Sequence, residues 1–321
     1  MTLGDWAAET RERLRDDGWH GAETSAYEFY KGVLRRVGER TDYGEAVYDR
    51  EWDVLVVLDG CRVDLAREVA DEYPALGPVG TFESAGTRSD EWMRANFGPE
   101  HAAETARTVH VTANPNSDAH LDPDRFALLD EVWRDAWDDD RGTVPARAVT
   151  ARAVATARER DPDRLVVHYM QPHFPSVPDP LPGGAMGRES FGGRVGVWER
   201  MRRGDLSRDR VWRSFRANLR YVLDDVALLL DSVDADRVVL TADHGNAFGE
   251  WGLYGHPDRI PIRVLREVPW VVTNASDSGE YEPELARTSA ERTGGERTEG
   301  ADETDATDAS VSERLSALGY T

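Results

Sequence analysis

Asp243 and His244 stand side by side just after the apolar run Val238-Val-Leu240, and a second histidine, His256, follows twelve residues after the first. A carboxylate and an imidazole at the C-terminal end of a buried strand can both turn toward one cation, and Gly245 lets the backbone leave the strand sharply. The bland alternative is a strand-end pair satisfied by local hydrogen bonds. Asp59 raises the same question at the end of the run Val54-Leu-Val-Val-Leu58. A carboxylate leaving a buried strand end is costly unless it is paired or metal-bound, although it can also cap a helix, here one beginning near Arg62. Between these blocks lies Phe82-Glu-Ser-Ala-Gly-Thr-Arg-Ser-Asp-Glu-Trp92, a turn of small residues that runs into a helix. A hydroxyl at a helix N-terminus gains from the positive end of the helix dipole, which lowers the cost of an alkoxide and holds an oxyanion. Thr87, Ser84 and Ser89 offer such hydroxyls, and Thr87 could instead be an N-cap. His168 and His173 follow another apolar run, and imidazole titrates close to operating pH. Arg62 and Arg88 lie near these groups in sequence, and either could grip a phosphate or sulfate oxygen pair.

Three blocks carry a resemblance to a known family. Thr241-Ala-Asp-His-Gly-Asn-Ala-Phe-Gly-Glu-Trp-Gly-Leu-Tyr-Gly-His-Pro257 resembles the C-terminal signature of the alkaline phosphatase/sulfatase superfamily. His168-Tyr-Met-Gln-Pro-His173-Phe-Pro175 is similar to the His-Tyr-Met-x-Pro-His-x-Pro element of sulfatase-like proteins, and Leu318-Gly-Tyr320 resembles the ending of many of their chains. The resemblance covers residues 53–272 in scattered blocks, plus that ending. It implies that Asp59, Thr87, Asp243 and His244 hold one divalent metal ion and that Thr87 is the nucleophile, with Ser84 and Ser89 as alternatives. It also implies that His173 and His256 face an anionic ester as substrate-binding or acid-catalytic groups. His168, Arg62 and Arg88 are then secondary substrate-side residues. A set of three oxygens and one nitrogen accepts Mn²⁺, Mg²⁺ or Zn²⁺. Many sulfatases carry two consecutive acids where this chain has Asp59-Gly60, so Ca²⁺ is the less expected ion and the one-metal phosphotransferase branch is the better likeness.

Formylglycine sulfatases need a Cys or Ser followed two residues later by Pro and four later by Arg. Here Thr87 is followed by Ser89 and Glu91, and Cys61 by Val63 and Leu65. The implied activity is therefore a metal-dependent hydrolase or transferase acting on a phosphate mono- or diester through a threonine. The alternatives are a sulfate ester hydrolase without formylglycine, or a catalytically lapsed protein that binds an anionic envelope glycan, a lipid head group or a partner protein.

The elements that must position these groups alternate. Strands are expected at 53–58, 108–112, 165–169, 238–241 and 268–272, with helices at 26–37, 63–73, 146–158 and 211–230 between or before them. The run at 54–58 is short, continuously apolar and valine-rich, as a strand covered on both faces requires. Val211, Phe215, Leu219, Val222, Val226 and Leu229 form one helical stripe. The pattern is that of an α/β fold with a mainly parallel central sheet flanked by helices, alkaline-phosphatase-like, whose ligands gather beyond the carboxyl ends of the strands. Residues 1–45 read as an N-terminal helical extension, with a further helix at 6–14, and Trp6, Trp19, Tyr30 and Lys31 could meet a partner there. Residues 46–275 are the catalytic domain, and the Gly- and Pro-rich stretch 175–203 is a long loop over the site. The acid-rich, aromatic-poor segment 276–310 is expected to be a disordered linker, and 311–321 a segment that docks back.

Composition limits the partners. The chain of 321 residues carries 61 acidic against 39 basic residues, for a net charge of -22, and Lys31 is its sole lysine. Such a surface resembles proteins adapted to high salt, of a halophilic archaeal type, and opposes nucleic-acid or anionic-membrane binding. Cys61 is alone, so neither an intrachain disulfide nor a cysteine-built zinc site can form. With no Sec-type leader pattern and no apolar run of the roughly 20 residues a membrane span needs, a cytoplasmic location is expected. Oligomeric state is left open.

Overall fold

Val54–Leu58 (β1) is buried at every residue, as its unbroken apolar run requires. In the computed structural model, which describes residues 15, 19–41, 44–182 and 196–285, it lies at the middle of a seven-stranded sheet. The other members are Gly80–Glu83 (β2), Thr108–Thr112 (β3), Leu128–Glu131 (β4), Arg164–Tyr169 (β5), Ala235–Thr241 (β6) and Glu267–Ala275 (β9). A separate ribbon pairs Ala247–Phe248 (β7) with Tyr254–Gly255 (β8). The sheet order is β2-β9-β6-β1-β5-β3-β4. The run from β6 to β4 is parallel throughout, while β9 is antiparallel to β6 and β2 to β9. The architecture is thus the expected α/β class, with a mainly parallel sheet flanked by helices.

The helices Ala146–Arg160 and Arg208–Leu230 pack on each other. The second buries the stripe read from the sequence, Val211 through Leu229, and each such side chain is worth about 1.5–3 kcal/mol of apolar transfer. Ser207 caps its start by accepting the Arg210 N–H at 3.2 Å.

The N-terminal helix runs over Trp19–Gly38, longer than the 26–37 expected. Tyr27, Tyr30 and Leu34 pack on a small satellite core of Ala247, Leu253, Ile260, Ile262 and Leu265. The Tyr30 hydroxyl donates to Trp251 O at 2.9 Å, Arg35 pairs with Asp258, and Lys31 pairs with Glu28 at 2.8 Å. Tyr30 and Lys31 therefore have partners within the chain, and the helix braces the loop that carries His256.

Three differences from expectation stand out. The loop forecast at 175–203 includes a helix, Val197–Arg203, because Val197 and Met201 are buried and Gly204 stops it at φ +81°. Strands β2 and β4 were not foreseen. The helix forecast at 63–73 ends at Val69 and continues as 3-10 turns. The 6–14 helix, Trp6, the Trp19 side chain, residues 183–195, 286–310 of the acidic segment and the 311–321 tail lie outside the described residues. Among the described residues no helix is long and apolar enough to cross a membrane.

Candidate metal centre

Strand register makes the site. Val57 of β1 is level with His168 on β5 and Thr241 on β6, and Thr112 of β3 is level with His168. Asp59, Asp243 and Asn114 each lie two residues beyond that level, at the carboxyl edge of parallel strands. Two glycines allow the turns. Gly60 sits at φ +69°, and a Cβ there would come 2.4 Å from Asn246 Nδ2. A Cβ on Gly245 would stand 2.1 Å from Val264 O.

Asp59, His168, Asp243 and His244 are fully buried. Asp243 Oδ1 accepts the N–H groups of Gly60 at 3.0 Å and His244 at 2.9 Å, which leaves Oδ2 for the interior. Around Oδ2 stand Ser89 Oγ at 2.6 Å, His244 Nε2 at 3.6 Å and His168 Nε2 at 3.7 Å. Asp59 Oδ2 accepts from Asn114 Nδ2 at 2.8 Å and lies 3.3 Å from Ser89 Oγ, while its Oδ1 is 3.6 Å from His244 Nε2.

This arrangement fits a divalent cation. His244 Nδ1–H donates to Gly245 O at 2.9 Å, so Nε2 presents a lone pair, buried and without a hydrogen-bond partner. A lone pair held 3.6 Å from two carboxylate oxygens is repulsive unless positive charge lies among them. Ligands on tetrahedral bonds of about 2.0–2.2 Å sit about 3.4 Å apart, close to what is found here. His168 Nε2 is another buried nitrogen without a hydrogen bond, and one ligand atom each from Asp59, His168 and Asp243 lie within 4.8 Å of one another. Burial opposes charge on Asp243, yet the His244 and His168 imidazoles, the Ser89 hydroxyl and the Gly60 N–H hold its carboxyl below the usual range. Burial brings His168 down to about 4, so its ring is neutral and available to a cation at neutral pH.

The predicted substrate-side histidines meet beside this centre. His173 lies between the cis bonds Gln171–Pro172 and Phe174–Pro175. Its Nδ1–H donates to Phe174 O at 2.7 Å, which makes Nε2 an acceptor facing His256 Nε2 at 3.0 Å. His256 then carries its proton on Nε2. Its ring is 4.7 Å from that of His244. Burial lowers His173 to about 4, and burial together with His244, His173 and Arg88 takes His256 well below 6.5. Both rings are neutral at pH 7. The acid role expected of them thus meets a hydrogen-bonding pair, because a neutral imidazole is a poor proton donor.

The hydroxyls of the 84–89 turn take different places. Thr87 is buried but turned away: its Oγ1 accepts the Arg259 N–H at 2.8 Å and faces Glu91 Oε2 at 3.0 Å and Pro257 O at 3.2 Å. Among the described residues it makes no hydrogen bond to Asp59, Asp243 or His244. Ser89, the first residue of the helix Ser89–Asn96, occupies that place. Ser84 Oγ donates to the Asp243 carbonyl and accepts the Gly86 N–H at 3.2 Å, which shapes the turn.

The Arg62 guanidinium is enclosed by Asp64 at 2.6 Å, Glu250 at 2.9 Å and Asn246 O at 2.7 Å, over the rings of Trp212 and Phe248, and fastens these loops together. Arg88 pairs with Asp90 at 3.2 Å near His256. Sequence reasoning missed Asn114, whose Oδ1 is itself fixed by the Asn116 N–H and Nδ2 at 2.9 Å each. The strand-end rule that found Asp59 and Asp243 also points to it.

No family model matches the chain, and no curated protein does. Among solved structures it is similar to the soluble domain of lipooligosaccharide phosphoethanolamine transferase A from Neisseria meningitidis, at 14% identity over 70% of this chain and 76% of that one, with a TM-score of 0.49. It is similar to the C-terminal periplasmic domain of phosphoethanolamine transferase EptC from Campylobacter jejuni, at 17% identity over 69% and 78%, with a TM-score of 0.44. It is also similar to the zinc complex of the C-terminal periplasmic domain of EptC from Escherichia coli, at 12% identity over 73% and 76%, with a TM-score of 0.45.

Proposed function

We propose that this protein is a metal-dependent hydrolase or transferase acting on a phosphate mono- or diester through the hydroxyl of Ser89. The observation that carries the reading is Ser89 Oγ, 2.6 Å from Asp243 Oδ2 and 3.3 Å from Asp59 Oδ2 at the start of a helix. Asp59, Asp243, His244 and His168 would hold one divalent cation, which when bound lowers the pKa of a neighbouring hydroxyl and neutralises charge on the transferring group. Mn²⁺, Mg²⁺ and Zn²⁺ all suit a mixed oxygen and nitrogen set.

The side chains divide the work as follows. Ser89 Oγ forms the new bond to phosphorus as its proton, now shared with Asp243 Oδ2 at 2.6 Å, is lost to solvent. The bond from phosphorus to the leaving alkoxide breaks, and the alkoxide takes a proton from water. The His256 Nε2–H, now directed to His173 at 3.0 Å, can turn to a phosphoryl oxygen as a neutral donor. Water or a second alcohol then attacks the phosphoserine, the bond from phosphorus to Ser89 Oγ breaks, and Ser89 regains a proton as the attacking hydroxyl loses one. The same face suits an envelope glycan or lipid head group bearing such an ester.

The test compares wild type, Ser89→Ala and Thr87→Ala on nitrophenyl phosphate, bis-nitrophenyl phosphate and nitrophenyl sulfate, with Mn²⁺, Mg²⁺, Zn²⁺ or Ca²⁺ at constant high salt. Cation-dependent phosphate turnover that falls at least about 10³-fold in Ser89→Ala supports the reading, since removal of a nucleophile costs that order or more. Turnover that survives Ser89→Ala rejects it.

A further inference from the structure

The geometry points to Thr87 and Glu91 as a clamp that sets the position of His256 relative to Ser89, with Thr87 a positioning residue rather than a nucleophile. It rests on the reading of Ser89 and His256 as groups that meet the ester. Thr87 lies two residues before Ser89, and Pro257 directly follows His256, so one hydroxyl joins the two segments that carry them. Four contacts converge there. Glu91 Oε2 receives both the N–H of Thr87, at 2.9 Å, and its hydroxyl, at 3.0 Å. Thr87 Oγ1 accepts the Arg259 N–H at 2.8 Å, with Pro257 O only 3.2 Å away. Arg259 Nε in turn lies 3.7 Å from Glu91 Oε1.

The clamp restrains a backbone that would otherwise relax. Arg259 sits at φ +52°, a left-handed conformation that side chains other than glycine disfavour, so its N–H needs the acceptor on Thr87 to hold it there. Glu91 is nearly buried, and its carboxylate oxygen is matched to two Thr87 donors. On the other side of the loop the N-terminal helix adds the Arg35–Asp258 pair. Asp258 and Arg259 are thus held from outside the loop, and His256, at its start, meets His173 and His244 in a fixed place. Removing the Thr87 hydroxyl releases the middle of that chain of contacts. A displacement of order 1 Å at a reacting centre can lower a rate about 100-fold.

Thr87→Val keeps the shape and removes the hydroxyl, while Thr87→Ser restores it. We expect kcat of Thr87→Val to fall about 10–100-fold with KM within about threefold, and Thr87→Ser to return to within about threefold of wild type. In the metal-free protein, the imidazole NMR signals of His256 and His173 should move in Thr87→Val while that of His110 on β3 stays. Unmoved His256 and His173 signals overturn the clamp even if no test ester is turned over. Unchanged kcat in Thr87→Val overturns it as well. Mass-spectrometric mapping of the phosphorylated peptide separates the two ideas: phosphate on Ser89 agrees with both. Phosphate on Thr87 sinks the Ser89 reading and this one together. Phosphate on Ser89 with an unaffected Thr87→Val leaves the function standing and removes only the clamp.

Discussion

Replacing Asp243 by Asn should change stability in opposite directions with and without a divalent cation. In the metal-free protein two buried carboxylates, Asp59 and Asp243, face each other with oxygens within 4.8 Å. At an effective dielectric near 20 that repulsion is about 3.5 kcal/mol. An Asn side chain keeps its Oδ1 as acceptor for the Gly60 and His244 N–H groups, now at 3.0 and 2.9 Å, and offers an N–H to Ser89 Oγ or Asp59. The variant should therefore unfold at a free energy about 2–3 kcal/mol higher than wild type in chelator, or about 5–10 °C higher in Tm for a domain of this size. Saturating cation reverses the order. At a concentration of 1,000 Kd, wild type gains about 4.1 kcal/mol, more than the variant's advantage in chelator, whereas the variant has lost an anionic ligand and gains little. Thermal unfolding at pH 8 and at fixed high salt reads both arms. The reasoning fails if the variant is less stable than wild type in chelator, or if the cation raises both proteins equally.

Asn114→Leu should weaken divalent cation binding about 10–100-fold in a competitive chelator titration, because it removes the 2.8 Å donor that orients Asp59; a change below twofold would make Asn114 incidental. Arg62→Gln should lower unfolding free energy by about 1–3 kcal/mol, reduced from the fully buried figure because Asp64 and Glu250 are partly solvated, with KM for the ester unchanged within twofold. A tenfold rise in KM would return Arg62 to the substrate. His173 titrates near 6.5 unfolded and about 4 folded, chiefly through burial, so the unfolded chain binds more protons between those values. Its contribution is complete above pH 6.5 and is lost as pH falls toward 4, about 2 kcal/mol between pH 7 and pH 5 in metal-free protein. His173→Gln should flatten that limb of a pH series of urea titrations, and an equally steep limb would refute the assignment.

The parts of the fold that could be read in the sequence are those with a buried apolar stretch. The strand at 108–112 was placed to the residue, and β1, β5, β6 and β9 were found with ends displaced, because the central strands present continuous apolar runs. Strands β2 and β4 escaped because they end the sheet. Only Phe82 is buried in β2, and no residue of β4 is fully buried, so neither shows an apolar run nor a clean alternation. The helix at 197–203 was hidden inside a Gly- and Pro-rich composition. Its two core residues, Val197 and Met201, are too few to make a periodic signal.

The site was legible where one strand end decides a side chain's place, and illegible where two distant segments decide it together. Asp59 and Asp243 follow from parallel register alone. The choice between Thr87 and Ser89 does not, since both sit at the start of the same helix. What bears on it is Glu91, which takes both Thr87 donors, and the 257–259 loop, which supplies the Arg259 N–H from 172 residues along the chain. Glu91 four residues after Thr87 was a visible hint that an acid reaches back over the turn, in the manner of a capping box. With Thr87 drawn to one side of the turn, the helix rotates its first residue toward the acids, and Ser89 Oγ comes to lie between Asp243 and Asp59. On the proposed reading, the nucleophile depends on Thr87, a residue that does not itself meet the ester. Exchanging Ser89 for Thr should therefore preserve more activity than exchanging the roles of positions 87 and 89.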